Sequence, residues 1–129
     1  MAAGPRLDAA GQAKMKTLDE ALLLLQRVNG LAEQYALAVK GNRPASPYMQ
    51  NIRRTLPTLA ENLKSQFGMI SDQITAVNLA VSRGASDVVR VRQLREGVAQ
   101  IKQALEIAFT TTKTKHTVQE SNDDATRGG

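Results

Sequence analysis

Apolar residues fall into three regular stripes along the chain. Leu18, Ala21, Leu25, Val28, Ala32, Tyr35 and Val39 alternate at steps of three and four, the spacing that holds one helix face against a partner helix. Val91, Leu94, Val98, Ile101, Leu105 and Ala108 repeat it, with Arg92, Gln93, Arg95, Glu96 and Lys102 between them. The third stripe is Leu59, Leu63, Phe67, Ile70, Ile74, Val77 and Val81. Its two successive steps of four, from Leu59 to Leu63 to Phe67, resemble a stutter, which relaxes supercoiling locally.

Capping signals set the expected boundaries. Thr17 with Glu20 three residues on reads as a capping box that starts a helix over 17–40. Lys40, Gly41 as the left-handed cap and Pro44 beyond it mark the end. Ser46 followed by Pro47 reads as an N-cap with proline at the first helical position, opening a second helix over 47–83. Gly84 closes that helix, and Ser86 with Asp87 caps a third over 86–113.

Length decides how Pro57 is read. An unbroken helix over 47–83 spans about 55 Å, against about 36 Å for the first and about 40 Å for the third. A bend near Pro57 removes the overhang, since the part from Pro57 to Arg83 matches the third helix. Gly68 is the rival breakpoint, and a turn there gives four helices. The fold expected is therefore all-α, an antiparallel three-helix bundle or coiled coil, with four helices if Gly68 is a turn. The bundle occupies 17–113. Residues 1–16 and 114–129 are polar and aperiodic and are expected to be disordered tails.

Composition narrows the class. Hydrophobic residues make up 42% of the 129, enough for one core, but only 3% are aromatic and tryptophan is absent. Leu, Ile, Val and Ala suit interdigitating helices better than a cavity lined with rings. Cysteine is absent, which excludes disulfides and thiolate metal sites. The longest apolar run falls far short of the roughly 20 residues that cross a bilayer, and the start of the chain lacks the apolar segment of a secretory signal. The expectation is an intracellular protein, cytoplasmic or nuclear, with no membrane partner.

Chemistry is sparse. His116 is the one histidine; it falls outside the periodic region and reads as an exposed tail residue with no nucleophile or carboxylate placed beside it. The carboxylates form no Glu-x-x-His pair, and neither a dinucleotide fingerprint nor a P-loop occurs. No catalytic, metal or cofactor site is expected.

Two features point outward instead. Apolar residues exceed what the stripes need, and Leu23, Leu24, Leu31, Val88, Val89 and Phe109 are the expected protein-interface residues. The net charge of +5 comes mostly from Arg53 and Arg54 and from the arginines and lysines after Arg83. Arg53, Arg54, Arg83 and Arg90 are the candidates for contacts to phosphate or an acidic partner. The resulting expectation is a non-catalytic helical interaction module, an adaptor or structural subunit that homo-oligomerises or joins a hetero-complex. The alternative is a basic helical protein that binds nucleic acid non-specifically, although no aromatic platform for bases is present.

Overall fold

Asp8 starts the first helix two turns before the capping box at Thr17 predicts. The computed structural model describes residues 6–118. In it the Asp8 carboxylate accepts from the Gly11 amide at 2.7 Å, and α1 runs over Ala9–Lys40. The segment 9–16 is rich in alanine and lysine, both strong helix formers. Its cap lacks the Glu three residues on that marks a capping box. Thr17 lies inside the helix, where its hydroxyl reaches Gln66 Oε1 at 2.6 Å and the Ala13 carbonyl at 3.2 Å. Residues 6–16 and 114–118 are thus ordered structure, not tail, and 1–5 and 119–129 of the predicted tails lie outside the described residues.

At its far end α1 stops in a Schellman motif. The Arg43 amide donates to the Ala38 carbonyl at 2.8 Å and the Asn42 amide to the Val39 carbonyl at 3.2 Å. Asn42, with φ 53°, takes the left-handed conformation expected of Gly41, whose φ is −90°. Asparagine tolerates that region better than most residues.

Among the described residues four helices form, not three. α2 covers Ser46–Leu63, α3 Gly68–Ser82 and α4 Asp87–His116. Pro57 does not break α2. It faces solvent, so the carbonyl that loses its amide partner is turned toward water. The break falls at Lys64–Phe67, at the stutter, with Gly68 as the first residue of α3. Ser71 ties the two helices together across this turn: its buried hydroxyl donates to the Ala60 carbonyl at 2.7 Å, one of the last-turn acceptors that a helix cannot satisfy itself. Ser86 caps α4 as its sequence predicts, accepting from the Val89 amide at 3.3 Å. α2 opens one residue earlier than predicted, with Ala45 at the cap and Pro47 in the first turn.

Each helix packs against its chain neighbours and α4 closes against α1, giving an up-down-up-down bundle. Leu18, Ile52, Leu56, Leu59, Leu63, Ile74, Leu94, Ile101 and Leu105 fill its axis, fully buried. Gly97 lets α4 approach α3 closely, for a Cβ there would stand 2.6 Å from Val77 Cγ1.

The helices are unequal. α1 and α4 have 32 and 30 residues, about 48 and 45 Å, while α2 and α3 have 18 and 15, about 27 and 22 Å. Beyond the Thr17–Gln66 contact α1 and α4 therefore continue as a pair. A two-residue antiparallel ladder, β1 at Arg6–Leu7 on β2 at Thr117–Val118, closes it.

Candidate functional site

The step from four helices to two leaves an apolar notch. Phe67, Met69 and Ile70 at the start of α3 face Ala104, Ile107 and Ala108 of α4 across a cavity of about 470 Å³. Met69 is 87% exposed and Ile107 60%, so two large apolar side chains stand in water on either side of an apolar floor. Phe67, Ile70 and Ala108 pack with one face on the core. A continuing groove runs between α3 and α4 past Ala76, Ala80 and Gly97, where small residues keep the floor low.

The rim of the notch toward the paired helices carries the cations Lys14 and Lys115, with His116 between α4 and α1 beside them. His116 is not an exposed tail residue. Its side chain is 19% exposed, with Nδ1 3.2 Å from Asp8 Oδ1 and Nε2 3.3 Å from Lys14 Nζ. Both contacts fit one tautomer, Nδ1–H donating to Asp8 and Nε2 accepting from Lys14. The Asp8 carboxyl is held below its ordinary value chiefly by the Gly11 amide, against partial desolvation and with help from His116.

The six apolar residues expected at an interface divide. Leu23 and Val88 are 67% and 72% exposed. Leu24, Leu31 and Phe109 are half-buried and packed on the core, and Val89 is half-buried. The first pair is available to a partner, and the packed three serve the bundle itself. Leu37, 59% exposed, joins Leu23 on the outer face of α1. Met69 is not among the surplus apolar residues picked out from the sequence, because it enters the first turn of a helix only when the break falls at Gly68.

The four cations also divide. Arg53 and Arg90 line a second concavity, of about 590 Å³, together with Arg43. Arg54 and Arg83 are exposed and do not line it. Its wall includes Tyr35, 1% exposed, whose hydroxyl donates to Asp87 Oδ1 at 2.5 Å. Desolvation, then the Asp87 carboxylate, push the tyrosine pKa up to about 12.

No family model, curated protein or solved structure matches the chain. Among the described residues no group of three His, Asp or Glu side chains is placed to hold a metal ion, and no helix is long and apolar enough to cross a membrane. The surfaces themselves therefore carry the functional argument.

Proposed function

We propose that the protein is a non-catalytic helical interaction module, an adaptor or structural subunit inside the cell that joins a larger complex, or a second copy of itself, through exposed helix faces. The notch carries this reading. Monomeric proteins seldom keep large apolar side chains solvated around a concave apolar floor. A helix laid into such a groove buries its own apolar stripe while covering Met69 and Ile107. Small residues at 76 and 80 line the adjoining groove, and the cationic rim at Lys14 and Lys115 favours a partner helix with acidic flanks.

Affinity capture of the tagged protein from its native lysate, with nuclease present, tests the proposal when run beside Met69→Asp/Ile107→Asp. Both positions are exposed, so the double variant keeps its helicity and melting transition. The expected result is a stoichiometric protein set, or a second copy of the chain, retained by the parent and lost from the variant. Equal retention by a folded variant would overturn it.

A further inference from the structure

The protein's charge is concentrated at the end of the bundle opposite the notch. Residues 33–56 and 79–95 carry Lys40, Arg43, Arg53, Arg54, Arg83, Arg90, Arg92 and Arg95 against two carboxylates, Glu33 and Asp87. The rest of the chain holds nine cations and ten carboxylates. The up-down-up-down topology brings these two segments together, since the α1–α2 and α3–α4 connections share one end.

Both carboxylates are already engaged. Glu33 lies 3.4 Å from Arg95, and Asp87 lies 3.2 Å from Arg90 and accepts from Tyr35. Arg43 and Arg53 have no carboxylate within ion-pair distance among the described residues. Three arginines, Arg43, Arg53 and Arg90, line the concavity of about 590 Å³, with Asn42, Ser46 and Gln50 as further donors around it and the Asp87 carboxylate, paired with Arg90, in the same lining. Arg53 is held from α3, its Nε and Nη2 donating to the hydroxyl and carbonyl of Ser82, each at 3.3 Å. α2 begins at this wall with no side-chain cap and no acidic residue in its first turn, so its amide dipole adds to the positive field.

We propose that this concavity binds a compact ligand carrying two or more phosphoryl groups. Guanidinium groups pair with phosphate oxygens in bidentate geometry, and the volume matches the range of small-ligand sites, roughly 300–1,000 Å³. A duplex would require cations along an extended face; here three of them meet in one hollow, which favours a small polyanion. The same chemistry is offered by a soluble inositol polyphosphate and by a phosphorylated lipid headgroup. The site is separate from the notch, and neither proposal depends on the other.

Calorimetric titration of the full chain with inositol hexakisphosphate at physiological ionic strength tests the site. Saturable one-to-one binding is expected. Affinity should weaken by about tenfold or more in Arg43→Gln/Arg53→Gln, the loss that one charge-assisted contact commonly gives. Gln50→Glu, which adds a carboxylate to the wall and leaves every cation in place, should weaken it as well. Lys64→Gln/Lys113→Gln, exposed positions at the other end, should bind as the parent does. Flotation with phosphatidylcholine vesicles containing phosphatidylinositol 4,5-bisphosphate separates the sources: co-flotation lost in Arg43→Gln/Arg53→Gln assigns a lipid headgroup, and binding of the soluble probe alone assigns a free polyphosphate. Absence of saturable binding, undiminished binding by both site variants, or tighter binding of duplex DNA than of the hexakisphosphate would overturn the proposal.

Discussion

The hydroxyl of Tyr35 donates to Asp87 Oδ1 at 2.5 Å, joining the last turns of α1 to the first turn of α4. The ring is buried to 1% exposure and only its polar tip meets the surface, so one residue contributes core packing and a positioned hydrogen bond. The carboxylate it holds also pairs with Arg90 three residues on, which orients a side chain of the basic concavity. Core and surface are coupled at this point.

Tyr35→Phe should cost about 1–2 kcal/mol at neutral pH, the worth of a hydrogen bond to a charged acceptor that stays partly hydrated after the change. The pH dependence has a definite sign. The folded protein raises the tyrosine pKa from 10.0 to about 12, so the associated stabilisation is complete below pH 10 and is lost as pH rises through 12. Urea unfolding of both proteins across the alkaline range checks this: the difference between them should shrink there, and a constant difference would contradict the assignment.

Gly97→Ala should destabilise the bundle although alanine is the better helix former by roughly 1 kcal/mol. The added Cβ would stand 2.6 Å from Cγ1 and 3.0 Å from Cγ2 of Val77, a stiff β-branched side chain that cannot swing clear. Overpacking of this kind costs about 1–3 kcal/mol. Combining it with Val77→Ala should recover part of the loss, and a double-mutant cycle by urea unfolding would show strong coupling. Simple additivity would mean that the helices part freely at this crossing.

Asp8→Asn should loosen the first turns of α1 and the end of α4 together. The carboxylate caps α1 through Gly11 and contacts His116, while the Asp8 amide donates to the His116 carbonyl at 2.9 Å. Because the Asp8 pKa is lowered from 3.8, its stabilisation is present above that value and lost as pH falls through the lowered one. Amide exchange should accelerate at 9–14 and 112–118 in the variant at neutral pH, with 46–63 unchanged; uniform acceleration would show that the capped ends are not a separate unit.

Charge substitutions on α1 should separate by one position. Leu23→Asp falls on a residue that is 67% exposed and should change stability by about 0.5 kcal/mol or less. Leu24→Asp falls on one packed against the core and should cost about 2 kcal/mol or more by burying a charge. The pairing of Leu24→Asp with Val89→Asp, natural from the sequence as an interface test, therefore tests folding instead; Leu23→Asp with Val88→Asp is the surface equivalent. Thermal melts of the single variants decide it, and equal melting temperatures would place Leu24 outside the core.

The sequence by itself determined the helices' inward faces. Leu18 to Tyr35 and Leu94 to Leu105 are buried as their spacing requires, because a period near 3.6 fixes a face whatever packs against it. Ser86 and Asp87 capped α4 for an equally local reason. The sequence also offered the break between α2 and α3, as Gly68, the rival to Pro57; the proline does not break α2 because its lost hydrogen bond can be made to water on an exposed face.

Tertiary structure alone decided the rest. The start of α1 at Ala9 has a local cap, Asp8 on Gly11, but its tie to the rest of the fold lies more than a hundred residues away, since Asp8 meets His116 only when the bundle closes. Which surplus apolar residues reach solvent depends on the neighbouring helix: Leu23 and Val88 do, while Leu24, Leu31 and Phe109 cover the core. The notch exists because α2 and α3 are shorter than the helices they pack on, and the basic end exists because two connections distant in sequence turn at the same place. Local spacing sets which face of a helix turns inward; only the assembled bundle sets what its ends and edges meet.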